Sequence, residues 1–149
     1  MSEIAIERAA AEPMVLTAVT HLQNREVDDA IDLFAEDFRY IDRGIGLEFS
    51  SKERLAEFFR KTRELFPDSC LHIDSILTSA DHTVAEWTLQ TTVTESFYAG
   101  LTRELQIVLH GVSVMRTKNG KITDWSDYYD GPTSRRIALA AHFTDWDGF

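Results

Sequence analysis

The chain has 149 residues, of which 44% are hydrophobic and 27% are charged, and its formal net charge is −10. This balance is typical of a globular domain with a packed core, and the negative charge argues against binding to nucleic acid. The sequence has neither the features of a signal peptide nor an apolar stretch long enough to span a membrane, so we expect a cytoplasmic protein without membrane contact.

The length matches one domain, and we expect it to cover residues 1–149, with a core over 12–131 and a C-terminal extension over 132–149. Cys70 is the only cysteine, which excludes an intrachain disulfide and a cysteine zinc site.

The N-terminal part of the chain is predicted to be helical. Apolar side chains recur at three- and four-residue spacing from Met14 to Phe38, with a break near Asn24, which indicates two amphipathic helices packed as a hairpin. A short strand from Phe38 to Asp42 and a turn over 43–46 are predicted next.

A third helix and a meander of strands follow. Ser50 and Glu53 have the spacing of a capping box, and Pro67 ends the helical pattern. Beyond Pro67 the apolar period changes from about 3.6 to 2, which predicts four antiparallel strands, with a tight hairpin at Asn119-Gly120. The predicted strands cover Cys70–Leu77, Thr83–Thr94, Arg103–Arg116 and Lys121–Tyr129, and a short helix over Thr133–Phe143 comes last.

These elements predict an α+β fold, with three N-terminal helices packed on a curved, mostly antiparallel sheet that encloses an apolar cavity. In the last strand, alternation places Trp125, Asp127 and Tyr129 on one face. The early strand likewise presents Tyr40 and Asp42 together with Phe38.

Asp127 is the first candidate for a catalytic group. A carboxyl in an apolar pocket has a raised pKa and can act as a base or a proton donor near neutral pH. The alternative is a structural aspartate that accepts hydrogen bonds from Tyr40 or from the backbone. Asp42 can likewise be a catalytic carboxyl or a structural residue, since an aspartate before a turn often accepts a hydrogen bond from its own backbone.

The other candidates have structural alternatives as well. Tyr40 can orient water or a substrate oxygen, or can be core, and His110 can carry protons or be a satisfied core histidine. His72 and Asp74 share a strand face, but two ligands do not make a metal site, and we predict none. We expect the pocket to be lined by Trp87, Leu89, Trp125, Tyr129, Phe38 and Phe59.

Four segments, in this order and spacing, resemble the SnoaL-like polyketide cyclases of the nuclear transport factor 2-like superfamily. They are Leu33–Phe38 at the end of the helical start, Glu64–Asp68 closing the third helix, Lys118–Ile122 in the hairpin, and Trp125–Tyr128. The resemblance covers about residues 12–131 and implies a cone-shaped, cystatin-like α+β barrel and a homodimer formed through the convex sheet face.

The resemblance also implies roles for individual residues. Asp127 matches the acid/base aspartate of the cyclases, which close a ring by an intramolecular aldol reaction. Residues Asp124–Asp130 are also similar to the limonene-1,2-epoxide hydrolase branch, where Tyr40 matches a tyrosine that assists the aspartate. That branch needs an arginine and a second aspartate where this chain has Trp87 and Leu89.

Ketosteroid isomerases of the same superfamily place a base near Asp42, but their oxyanion-stabilising acid has no clear match, with His110 or Val112 close to that position.

Two functions follow as hypotheses. The first is an enzyme of the cyclase or isomerase type, without a cofactor, in which Asp127 removes a proton from a polyketide-, steroid- or terpenoid-like substrate and Tyr40 or His110 stabilises the oxyanion. An epoxide hydrolase with an incomplete triad is a variant of it. The alternative is a non-catalytic module that binds a small apolar ligand or forms dimers.

Overall fold

The computed structural model describes residues 14–79, 82–93 and 104–130. Helix α1 includes residues 14–23, and α2 and α3 cover Val27–Asp32 and Lys52–Leu65. The strands are β1 (Phe34–Asp42), β2 (Leu47–Phe49), β3 (Cys70–Thr78), β4 (Thr83–Val93), β5 (Leu105–Lys118) and β6 (Lys121–Tyr129).

The six strands form one sheet in the order β2-β1-β6-β5-β4-β3. Only β1 and β6 pair in parallel, and every other neighbouring pair is antiparallel. The helices pack on the sheet, which is curved and unclosed. The predicted α+β class and mostly antiparallel sheet are therefore confirmed.

The predicted second helix is too long. It ends at Asp32, and β1 begins at Phe34, where the sequence pattern predicted helix as far as Phe38. A four-residue spacing of apolar side chains fits one face of a helix and one face of a strand equally well. Pairing decides between them, because Phe34 lies opposite Ile122 of β6 and the Ile122 N–H donates to the Leu33 carbonyl at 2.8 Å.

The start of the third helix differs by one residue from the prediction. Ser51, not Ser50, is the N-cap, and its hydroxyl accepts a hydrogen bond from the Arg54 N–H at 3.4 Å. The helix ends at Leu65, two residues before Pro67, as predicted. Its apolar face carries Phe58 and Phe59 towards the sheet.

The strands of the meander agree closely with the period-2 pattern, and β6 has the predicted bounds. Asn119 and Gly120 form the β5–β6 turn with φ of 54° and 73°, the positive values that a tight hairpin needs. The predicted helix over 133–143 and the extension over 132–149 lie outside the described residues.

The main core lies between the helices and the concave face of the sheet. Leu55, Met115 and Ile122 are its most deeply buried large apolar side chains. Gln23 at the end of α1 clamps the edge strand β3, since its side-chain amide donates to the Leu71 carbonyl at 2.8 Å and accepts from the Leu71 N–H at 2.9 Å. This core leaves a cavity on the concave face.

Candidate functional site

A cavity of about 250 Å³ lies between α1, α3 and the concave face of the sheet. Apolar side chains of α1 and α3 form one side, among them Val15, Val19 and Phe59. The sheet supplies the polar groups as well as further aromatic rings. They are Tyr40, Asp42, Trp87, Thr91, Ser113, Trp125, Asp127 and Tyr129.

Asp127 reaches this cavity from β6 and accepts three side-chain hydrogen bonds. The Ser113 hydroxyl and the Trp125 indole N–H both donate to Oδ1, at 2.5 Å and 2.7 Å, and the Tyr40 hydroxyl donates to Oδ2. Burial raises the pKa of the Asp127 carboxyl above its ordinary value, and the three donors oppose that rise because they stabilise the charged form.

Asp42 lies directly beside it at the end of β1. It is 6% exposed, and its Oδ1 accepts hydrogen bonds from the Tyr129 hydroxyl at 2.6 Å and from the Ile45 N–H at 3.1 Å. Burial first, and then repulsion from Asp127, raises the pKa of Asp42 to about 7. Asp42 is therefore both the predicted turn aspartate and a carboxyl that changes charge near neutral pH.

The two carboxyls are cross-strand neighbours. Asp42 and Asp127 are register partners in the parallel pair, and Ser113 is the partner of Asp127 on its other side. Neighbouring strands lie about 4.8 Å apart, so the side chains of register partners lie side by side on the same face of the sheet. A single row across three strands thus holds two carboxyls and a hydroxyl at the cavity wall.

Two glycines provide the space for the aromatic rings of the site. A Cβ on Gly44 would lie 2.1 Å from the Tyr129 ring, and a Cβ on Gly111 would lie 2.2 Å from the Trp87 ring. Each ring then donates a hydrogen bond to a residue of this row. The Tyr129 hydroxyl donates to Asp42, and Trp87 Nε1 donates to the Ser113 hydroxyl at 2.9 Å.

Most of the residues predicted for the site do line this cavity, and two do not. Those that line it are Tyr40, Asp42, Asp127, Trp87, Leu89, Trp125, Tyr129 and Phe59. Phe38 is buried in the core beside Phe34, with ring centroids 5.1 Å apart, but is not part of the cavity wall.

His110 does not belong to this site. It is exposed on the opposite face of β5, where its Nδ1 lies 3.1 Å from the Thr88 hydroxyl. Alternation explains the difference, since Ile107, Leu109 and Ser113 of β5 line the cavity and the even-numbered His110 points away. Neither of its predicted roles, in the core or at the cavity, agrees with this position.

Ser113 lines the cavity and bonds to Asp127, but the sequence pattern did not single it out. It is 6% exposed and lies on the same face of β5 as Leu109. The signal was available, because a hydroxyl at an odd-numbered position of that strand has to face the interior.

One other group of possible ligands occurs among the described residues. His21, Glu26 and Asp29, at the α1–α2 junction, offer atoms within 4.8 Å of one another. His21 Nδ1 and Glu26 Oε2 are 2.6 Å apart, and all three residues lie away from the cavity.

Among the described residues, no helix is long and apolar enough to cross a membrane.

A protein-family model for the SnoaL-like domain matches residues 15–125, so the chain belongs to the SnoaL-like domain family. The match includes Tyr40, Asp42, Ser113 and Trp125 and ends two residues before Asp127. No curated protein matches the chain.

Solved structures show the same fold. A proposed SnoaL-like polyketide cyclase from Jannaschia sp. CCS1 superposes with a TM-score of 0.74 at 14% identity, over 95% of this chain and 96% of that one. An LEH-like epoxide hydrolase from M. tuberculosis gives 0.67 at 21% identity, over 89% and 96%. A protein with a ketosteroid isomerase-like fold from Catenulispora acidiphila DSM 44928, in complex with trimethylamine, gives 0.66 at 18% identity, over 86% and 91%.

Proposed function

We propose that the protein is a small-molecule enzyme of the cyclase or isomerase type, in which Asp127 is the acid/base group. The observation that carries this proposal is the position of the Asp127 carboxylate at the wall of an apolar cavity. Three side chains donate hydrogen bonds to it, and a second carboxyl, that of Asp42, lies on the neighbouring strand. The apolar walls of the cavity, which carry a few polar groups, fit a polyketide-, steroid- or terpenoid-like substrate.

The surroundings of the two carboxyls suggest separate roles for them. Three donors stabilise the charged form of Asp127, which suits the carboxylate that accepts a proton, whereas Asp42, with a pKa of about 7, is partly protonated at neutral pH. Asp127 would take a proton from a carbon of the substrate, and Asp42 would give its proton to the oxygen that gains the negative charge. The C–H bond breaks as its proton moves to Asp127, and an O–H bond forms as Asp42 gives up its proton. In an isomerisation both carboxyls are restored when Asp127 returns its proton to a different carbon and Asp42 takes its proton back from the enol oxygen.

Tyr40 fits a positioning role better than the predicted role of oxyanion donor. Its hydroxyl donates to Asp127 Oδ2, and its ring is 5% exposed among the rings of Phe49, Phe58 and Phe59. Desolvation raises the pKa of Tyr40 well above its ordinary value, which keeps the hydroxyl protonated and able to donate.

The epoxide hydrolase hypothesis has less support from the site. Among the described residues that line the cavity there is no arginine, which that branch needs beside its second aspartate. Trp87 and Leu89, at the positions where the resemblance would require arginine and aspartate, both face the cavity with apolar surface. A non-catalytic ligand-binding module is the remaining alternative.

The test is a thermal-shift screen against polyketide, steroid and terpene-epoxide compounds, followed by turnover assays of the compounds that bind. A ligand at one hundred times its Kd adds about 2.7 kcal/mol of apparent stability. We expect Asp127→Asn to bind the same class but to turn it over about a hundredfold more slowly or worse, as for loss of a general base. Asp124→Asn, the same change at a position of β6 that does not line the cavity, should leave turnover unchanged.

The outcomes separate the hypotheses. Undiminished turnover by Asp127→Asn would show that Asp127 is not the acid/base group. Binding without turnover by the parent protein would identify a ligand-binding module instead.

We also propose that the protein forms a homodimer through the outer face of the sheet, as the family resemblance implies. Three large apolar side chains on that face, Leu77, Val108 and Tyr128, are 69%, 52% and 45% exposed. Exposed apolar side chains of this kind are common at subunit interfaces.

A further inference from the structure

Trp87 and Ser113 form a hydrogen-bonded chain that ends on the carboxylate of Asp127. Trp87 Nε1 donates to the Ser113 hydroxyl oxygen at 2.9 Å, and the Ser113 hydroxyl donates to Asp127 Oδ1 at 2.5 Å. An indole N–H can only donate, so it uses an acceptor position of the serine oxygen. The single hydroxyl hydrogen of Ser113 is then directed to Asp127.

The position of the Trp87 ring is determined by the strand beside it. Trp87 and Gly111 are register partners in the β4–β5 pair, and the indole lies so close to Gly111 that a Cβ there would overlap it. The ring also packs on Tyr129, with centroids 5.8 Å apart. With its ring held from two sides, Trp87 is 7% exposed and presents its N–H to Ser113.

This chain also determines which oxygen of Asp127 meets a ligand. Oδ1 accepts from both Ser113 and Trp125, which uses its two lone pairs. Among the described residues Oδ2 accepts only from Tyr40, so one acceptor position of Oδ2 remains. The reacting oxygen is therefore Oδ2.

We propose that Trp87 and Ser113 are positioning residues that orient the carboxylate of Asp127 and stabilise its charged form without any cationic partner. This proposal rests on the proposed function, in which Asp127 is the base. It gives Trp87 a specific role. Its indole N–H does not contact Asp127, but donates to the Ser113 hydroxyl, which in turn donates to the Asp127 carboxylate. Loss of either donor should therefore change how Asp127 titrates.

The other groups around Asp127 have to be held constant in a titration. Among the described residues, the titratable side chains that face it are Tyr40 and Asp42 of β1 and Tyr129 of β6. Strands β4 and β5 contribute only the uncharged donors Trp87 and Ser113. Of these groups Asp42 is the one that titrates near neutral pH, so the measurements are made in an Asp42→Asn background as well as in the parent protein.

The experiment is a carboxyl ¹³C NMR titration of protein labelled at aspartate, with the Asp127 signal identified as the one that Asp127→Asn removes. We expect Ser113→Ala to raise the pKa of Asp127 because a donor to the charged form is lost, and Trp87→Phe to raise it by less. The double variant should titrate like Ser113→Ala alone, since Trp87 acts only through the serine. Ser126→Ala, the same change at a position of β6 that does not line the cavity, is the control and should titrate like the parent.

Two results would overturn the proposal. One is an unchanged titration of Asp127 in Trp87→Phe, and the other is a larger shift in the double variant than in Ser113→Ala. Because the readout is the carboxyl itself, either failure can be told apart from failure of the proposed function, which appears as turnover by Asp127→Asn. Once a substrate is known, the lower apparent pKa in the pH profile of kcat/KM should also rise, by more in Ser113→Ala than in Trp87→Phe.

Discussion

At the scale of the residue, Asp42 links the site to the stability of the protein. Its pKa is raised from 3.8 to about 7 in the folded protein, so between these values the folded state binds a proton that the unfolded state has lost. The free energy of unfolding therefore falls as the pH rises from about 4 to about 7, by up to about 1.4 kcal/mol per pH unit from this group, and levels off above.

Asp42→Asn tests this linkage, because asparagine keeps an acceptor oxygen for Tyr129 and Ile45 but does not ionise. We expect the parent to gain stability relative to the variant when the pH is lowered from 7 to 5. The measurement is the difference in unfolding free energy between the two proteins in urea at each pH. A difference that stays constant over this range would show that Asp42 has an ordinary pKa.

At the scale of the element, α3 shapes the cavity and also packs on the tyrosine of the site. Phe59 of α3 lines the cavity and meets the Tyr40 ring edge to face, with centroids 5.5 Å apart. The helix is capped by Ser51, and the preceding Ser50 is exposed and takes no part.

We expect Ser51→Ala to lower the stability by about 1 kcal/mol, as for loss of an N-cap. Ser50→Ala is the matched control and should have no effect beyond about 0.5 kcal/mol. Chemical denaturation of both variants distinguishes them. Equal destabilisation, or a larger effect at Ser50, would contradict the position of the cap.

At the scale of the whole molecule, the proposed homodimer predicts a concentration-dependent mass. We expect Val108→Lys, on the outer face of the sheet, to shift the protein towards monomer in sedimentation velocity while the cavity still binds its ligand. Leu16→Lys is the control, because Leu16 is also exposed, at 45%, but lies on α1. A parent protein that is monomeric at every concentration would rule the dimer out.

Much of this fold follows from the order of apolar residues along the chain. The period-2 alternation gave the bounds of β6 and placed Trp125, Asp127 and Tyr129 on one face, and the Asn119-Gly120 pair located the hairpin. Both are local properties, since alternation follows from strand geometry and positive φ from the turn. Predictions that rested on an ambiguous signal were wrong. The apolar spacing near Phe34 fits a helix and a strand alike, and of two adjacent serines it is Ser51 and not Ser50 that caps α3.

The order of residues along the chain is therefore enough to predict the class of fold, the face on which Asp127 and Asp42 lie and the apolar character of their surroundings. Only the folded structure shows that these two carboxyls are register partners and that Ser113 lies beside Asp127. The reason is physical: a pattern along one strand reports which face a side chain takes, whereas its partners depend on the register between strands. The parallel pairing of β1 with β6, which places Asp42 opposite Asp127, is set by the packing of the entire core and appears in no local signal.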